Sequence, residues 1–288
     1  MTELPSILDL LDLEYVEEDL YRSRALYDAP WGMYGGQAAA QALYAAGLTV
    51  DKDRLPHSLH GYFVRRGDPL RPTLFRVDRD RDGRSFSARR VVAVQDGAVI
   101  FSLSASFAVP AVPAVPADSA GSGRLGPPPD RESDPVFDLP DRDPLRPWTH
   151  PKHPSFEFRP VDPTERLPSR FWIKCTTELP DDPLVHAAVL AYTSDISSGL
   201  IAFEGDGTIT GPSLDHAVWF HRPARMDGWM WQDLTPRTLA GGRGWYTGSI
   251  HAADGAHVAS VAQEQLFTWT SSSPTRPSRP ANHSSCSS

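Results

Sequence analysis

Gly35-Gly36-Gln37-Ala38-Ala39-Ala40-Gln41-Ala42-Leu43-Tyr44-Ala45-Ala46 decides how this chain folds. Alanine and leucine are strong helix formers. The run is apolar on almost every face, and a helix without a wide polar side is a buried one. Its alanines would let a sheet wrap closely around it, and Gly47 is a plausible stop. Working outward, a strand from about Ile7 precedes the helix. Strand-like runs follow at His57–Arg66, Thr73–Arg81, Arg84–Gln95 and Ala98–Ala108. Asp82-Gly83 and Asp96-Gly97 separate the later runs, and Asp-Gly between extended segments signals a hairpin turn that needs positive φ. In the last run Val99, Phe101, Leu103, Ala105 and Phe107 share one face, and Ser102, Ser104 and Ser106 share the other. That alternation marks a half-buried antiparallel strand.

The same order recurs. Phe63-Val64-Arg65 returns as Phe220-His221-Arg222 after an interval of 157, Gly83-Arg84 as Gly242-Arg243 after 159, and Asp96-Gly97 as Asp254-Gly255 after 158. Near-constant separation of three landmarks points to a duplicated unit. In the second half Phe171–Thr177 reads as a strand and Pro183 to about Asp195 as an apolar helix. Strands then run near Leu214–Arg222, Trp229–Pro236, Arg243–His251 and His257–Trp269. The connection Ile196–Pro212 is longer than its counterpart. These patterns divide the chain into a unit at 1–109, a Pro-rich linker at 110–145, a second unit at 146–270 and a disordered tail at 271–288. A duplicated unit can keep one working site and let the other decay.

Composition narrows the function. Hydrophobic content of 40% supports a core, and a net charge of −8 argues against nucleic acid as partner. No run approaches the roughly 20 apolar residues needed to span a bilayer. Cys175 and Cys286 are far apart and show neither a disulfide framework nor zinc spacing. The start at Met1 lacks a signal-peptide pattern, and the last three residues are not a peroxisomal address, so the expectation is a cytoplasmic protein.

Three polar residues in the second half stand out. Asp195 ends an otherwise apolar helix, and Gln263 shares a strand face with Ala259, Val261, Phe267 and Trp269. Ser213 lies just before the strand that begins near Leu214. A buried carboxylate or amide costs free energy unless partnered. The plain alternatives are a solvent-facing helix end for Asp195 and a satisfied core amide or dimer contact for Gln263.

Five ordered stretches carry a resemblance: Tyr34 to Ala46, His57 to Asp68, Asp82 to Val91, Asp215-His216-Ala217-Val218-Trp219-Phe220-His221-Arg222-Pro223, and Val258 to Glu264. Together they resemble the acyl-CoA thioesterase II family from about Leu10 to Trp269. The resemblance implies an α+β double hotdog, two copies of a long helix wrapped by an antiparallel β-sheet. It implies hydrolysis of fatty acyl-CoA by a water held by an Asp, a Thr and a Gln. Motif by motif these fall on Asp195, Ser213 and Gln263; serine at the threonine position keeps the hydroxyl and loses a methyl group. Asp195 would act as general base, with no covalent intermediate, cofactor or metal. Backbone N–H groups at a helix N-terminus would face the carbonyl oxygen. Gly35 and Gly36 would let the backbone approach the substrate, or simply allow close packing. Arg65, Arg84 and Arg90 are the candidates for coenzyme A phosphates, among a wider set with Arg66, Arg89, Arg222 and Arg243. A homodimer or larger homo-oligomer is implied as well.

Other chemistries fit poorly. Gly211-Pro212-Ser213-Leu214-Asp215 fails the nucleophile-elbow pattern at its last position. His216 and His221 are five apart on a strand-like segment, which places them on opposite faces and argues against a shared metal. No Gly-rich phosphate loop precedes a helix. Gln37 and Gln41 in the first half lack an accompanying carboxylate. Two rivals stand beside the hydrolase: a double-hotdog enoyl-CoA hydratase, for which Asp182-Pro183-Leu184-Val185-His186 is only a near miss, and a catalytically idle acyl-CoA-binding protein.

Overall fold

A computed structural model describes residues 4–29, 32–110, 155–160, 169–195, 199–200, 203 and 208–269. Nearly all of the expected linker, the whole expected tail and most of residues 196–207 lie outside the described residues. The buried Ala-rich run forms α2, Gly35–Gly47, after a short α1 at Ile7–Leu11; the later apolar run forms α3, Pro183–Ser194. First-half strands are β1 (Leu13–Glu17), β2 (Leu20–Ser23), β3 (Leu55–Phe63), β4 (Leu74–Asp82), β5 (Phe86–Gln95) and β6 (Ala98–Ala108). The others are β7 (Phe156–Pro160), β8 (Arg170–Cys175), β9 (Thr208–Ser213), β10 (Asp215–Phe220), β11 (Met230–Ala240), β12 (Arg243–Ala252) and β13 (His257–Trp269).

Among the described residues these strands form one antiparallel sheet in the order β1-β2-β4-β5-β6-β3-β10-β13-β12-β11-β8-β7, with β9 paired to β13. The two halves join where β3 meets β10, and there His60 pairs with Ala217. The sequence interval of 157 carries His60 onto that same Ala217. A two-fold relation through this pair produces such a register. Following the ladders outward, His216 corresponds to Leu59, Gln263 to Ala105, and Tyr246 to Arg89.

The helices run antiparallel in close contact, and α2 also packs on β3 to β6. A Cβ on Gly36 would lie 2.3 Å from the Tyr192 carbonyl oxygen, and one on Gly47 would lie 2.3 Å from Leu184 Cδ1. Gly47 is therefore the last helical residue rather than a left-handed stop, and its missing side chain makes room for Leu184. Asp182 caps α3 by accepting from the Leu184 N–H at 2.9 Å.

Several expectations are corrected. Ile7–Leu11 is a helix closed by a Ser6/Asp9 capping box, not a strand. Asp96 and Gly97 have φ of 48° and 76°, as the hairpin signal requires, whereas Asp82 and Gly83 keep negative φ. The latter turn is longer and closes with Gly83 N–H donating to the Phe86 carbonyl at 2.8 Å. Part of the long connection is β9, which lines up along β13.

Arg89 holds the first half together from inside. It is buried to 1% exposure on β5. All five of its N–H donors are used, on Thr49 Oγ1 and carbonyl, the Arg81 and Ala88 carbonyls, and Asp82 Oδ1. A buried charge persists only when paired and fully hydrogen-bonded in this way.

Candidate active site

Asp195 caps the C-terminus of α3 and points at the N-terminus of α2. It is buried to 3% exposure, and the Gly36 backbone N–H donates to it. Burial pushes its pKa up to about 7, against the pull of hydrogen bonds from Gln263 and Gly36. On the inward face of β13, Gln263 Nε2 donates to Asp195 Oδ1 at 2.7 Å and to Ser213 Oγ at 2.6 Å. Ser213 ends β9 and also accepts from Gln265 Nε2 at 3.1 Å. Three side chains remote in the chain thus meet around one carboxamide.

The far end of that carboxamide is also occupied. Gln263 Oε1 faces His216 Nδ1 at 2.7 Å and accepts from the Tyr246 hydroxyl at 2.7 Å. His216 Nε2 lies 2.8 Å from Ser194 Oγ. A carboxylate only accepts, so an ionised Asp195 requires the NH2 end of the amide to face it and the carbonyl end to face His216 and Tyr246. His216 is fully buried, which pushes its pKa down to about 4, so it is neutral at ordinary pH.

The family model described as acyl-CoA thioesterase N-terminal domain matches residues 27–108, and the one described as acyl-CoA thioesterase C-terminal domain matches residues 119–267. The chain belongs to the acyl-CoA thioesterase II family. It is 35% identical over 291 residues to acyl-coenzyme A thioesterase 8 of Homo sapiens, covering 92% of this chain and 90% of the relative. It is 30% identical over 286 residues to acyl-CoA thioesterase 2 of Haemophilus influenzae, covering 93% and 98%. The crystal structure of an acyl-CoA thioesterase II from Mycobacterium marinum superposes with a TM-score of 0.73 at 35% identity, covering 92% of this chain and 98% of that one.

Within this thioesterase II chain the other expected residues are scattered. Gly35 adjoins the site: a Cβ there would lie 2.5 Å from Asp195 Oδ2 and 2.7 Å from the Phe63 ring. Arg65 follows Phe63 at the end of β3, exposed, with Nη1 donating to the Val99 carbonyl at 2.8 Å. Arg84 sits in the turn at the opposite end of β5, and Arg90 lies in mid-strand, paired with Asp78 at 3.3 Å and Asp80 at 3.5 Å. Arg65 and Arg84 therefore stand at the two ends of β6, roughly 30 Å apart at strand rise. The three arginines do not form one cluster. Arg89 is a buried structural group, and Arg243 pairs with Glu264 at 3.0 Å. Gln37 and Gln41 tie α2 to Tyr27 and to the Leu10 carbonyl.

His216, Tyr246 and Ser194 were not anticipated as parts of the site. His216 shares the inward face of β10 with Val218, the same polar-among-apolar signal that singles out Gln263. Among the described residues no helix is long and apolar enough to cross a membrane.

Proposed function

We propose that this chain hydrolyses fatty acyl-CoA to free fatty acid and coenzyme A, with water as nucleophile and Asp195 as its base. The observation that carries the reading is the convergence of Asp195 and Ser213 on the single Gln263 amide nitrogen, at 2.7 and 2.6 Å. Asp195 then offers a lone pair, and Ser213, which already accepts from Gln263 and Gln265, offers its hydroxyl proton, so that a water can give a proton to the carboxylate and be aimed by the hydroxyl. A carboxyl group with a pKa near 7 is half ionised at neutral pH, which suits a general base. Of the first-turn N–H groups of α2, that of Gly36 is given to Asp195 and that of Gln37 to the Tyr34 carbonyl, so the donor at the positive end of the helix dipole is the Gly35 N–H. In this reading it faces the oxyanion. The departing thiolate, with a pKa of about 8.5 by analogy with cysteine, needs no strong acid.

The architecture reads as a double hotdog, each half contributing a central helix and its own strands. The β3–β10 ladder and the antiparallel helix pair support this, with the working centre at the Asp195 end. The first half places Leu59, Ala105 and Arg89 where the second has His216, Gln263 and Tyr246. Of the candidate arginines, Arg65 is the one assigned to coenzyme A phosphate, because it stands two residues from Phe63 at the Gly35 edge of the site. Homo-oligomerisation is part of the same reading, and light scattering of the purified chain tests it.

The deciding experiment offers the purified protein a saturated acyl-CoA and follows free thiol. Release that disappears in Asp195→Asn supports the hydrolase. Addition of water to an enoyl-CoA without thiol release would establish a hydratase, and binding without turnover an idle acyl-CoA-binding protein.

A further inference from the structure

A carboxamide has the same shape whichever way round it is placed, so its neighbours must fix which end is oxygen. Around Gln263 the decision propagates. With Asp195 ionised, Gln263 Nε2 faces the carboxylate and Oε1 needs donors from the other side. The Tyr246 hydroxyl can donate or accept, and so enforces neither arrangement. His216 does enforce one, because its two tautomers differ. With the proton on Nδ1 it donates to Oε1; with the proton on Nε2 it presents a lone pair there and calls for the NH2 end instead.

The tautomer turns on Ser194. Its Oγ lies 2.8 Å from His216 Nε2 and 2.9 Å from the Ala191 carbonyl, and its one proton can serve only one of them at a time. Donation to Nε2 keeps the imidazole proton on Nδ1. Donation to Ala191 permits the opposite tautomer, a reversed amide, and a carbonyl oxygen against Asp195. We propose that Ser194 and His216 form a positioning relay that holds the Gln263 carbonyl away from Asp195, so that the carboxamide NH2 supports the ionised base. Resting on the hydrolase reading, the relay adds two positioning residues that act through Gln263. Both are fully buried, and His216 reaches Gln263 across the β10–β13 ladder.

The groups facing this cluster are Tyr34 before α2, Tyr192 on α3, Tyr246 on β12 and His216 on β10, with Asp215 and His60 lying farther off. Burial raises the three phenols well above their usual value. Asp195 is then the group in this set that titrates near neutrality.

Three variants and one spectroscopic measurement test the relay. Ser194→Ala removes the proton that fixes the tautomer. His216→Leu removes the donor and uses the residue that the first half carries at the equivalent Leu59. His216→Asn keeps an amide N–H close to the place of Nδ1–H. The expected result is a rise of kcat/KM with pH whose midpoint moves upward by about one unit in Ser194→Ala and His216→Leu. KM stays unchanged, and His216→Asn keeps the parent midpoint. The 15N shifts of the His216 imidazole in the parent protein should report a protonated Nδ1, an outcome that does not depend on turnover. Unmoved midpoints in both Ser194→Ala and His216→Leu overturn the proposal, and so does a protonated Nε2. If instead Asp195→Asn still releases thiol, the assignment of Asp195 as base fails while the imidazole spectrum still decides the relay.

Discussion

Gly35 and Asp195 stand so close across the two helices that a methyl group on the glycine would lie 2.5 Å from Asp195 Oδ2. The same methyl would lie 2.7 Å from the Phe63 ring, so it has no free side to turn toward. Gly35→Ala should therefore displace the carboxylate. Loss of kcat/KM by about 100-fold or more is expected, the scale that misplacing a reacting group by an ångström produces. Circular dichroism should show the helices retained.

Asp195 gives the enzyme a pH signature with a defined sign. Its pKa rises from 3.8 to about 7 on folding, so the folded chain holds the proton more tightly than the unfolded chain. The resulting stabilisation is fully present below pH 3.8 and is lost as pH climbs to about 7. The slope is up to about 1.4 kcal/mol per pH unit. Activity moves oppositely: kcat/KM should rise to a plateau above pH 7 as the base ionises. Asp195→Asn should flatten both curves, which denaturant titrations and initial rates across pH 5 to 9 would reveal.

Gln263 uses every hydrogen-bonding position of its carboxamide, so truncating it strands several groups at once. Gln263→Ala should lower kcat by about 100-fold or more. It should also destabilise the fold by about 2–4 kcal/mol, since buried donors and acceptors lose their partners. Urea denaturation measures the second effect separately from the first.

At Ser213 the hydroxyl, not the methyl count, should matter. Ser213→Thr is expected to keep kcat within about threefold, and Ser213→Ala to lose about 10-fold or more, because only the alanine removes the acceptor for Gln263 and Gln265. Equal losses in both would show that the position acts through packing alone.

Arg89 offers the reverse dissociation of stability from chemistry. Replacing it with Met leaves the Thr49, Arg81 and Ala88 acceptors without their donor. A loss of about 2–4 kcal/mol of stability is expected, with kcat and KM unchanged.

Much of the fold was legible because its signals are local. The apolar helix at Gly35–Gly47, the alternation through β6 and the Asp96-Gly97 turn each follow from residue type and period alone. The β9 strand lies mostly within the expected connection 196–212, because Gly and Pro are poor strand residues by sequence and its place is set by the ladder to β13. Asp195 and Gln263 were legible as polar residues on apolar surfaces. His216 carries the same signal, but its contact with Gln263 runs across the β10–β13 ladder and so leaves no mark in the local sequence. Tyr246 gave no signal, since a tyrosine on a strand is unremarkable until its cross-strand partner is known. The arginines proposed for phosphate are the least readable, because strand arginines look alike in sequence whether they sit in the core, as Arg89 does, or on the rim, as Arg65 does.

The swap of Tyr246 for Arg89 across the β3–β10 relation has a consequence for stoichiometry and for tolerance to change. One polypeptide should titrate as a single catalytic equivalent. Variation that kills turnover should crowd around one tip of the helix pair, while variation at the opposite tip should register only as a change in how much folded protein accumulates.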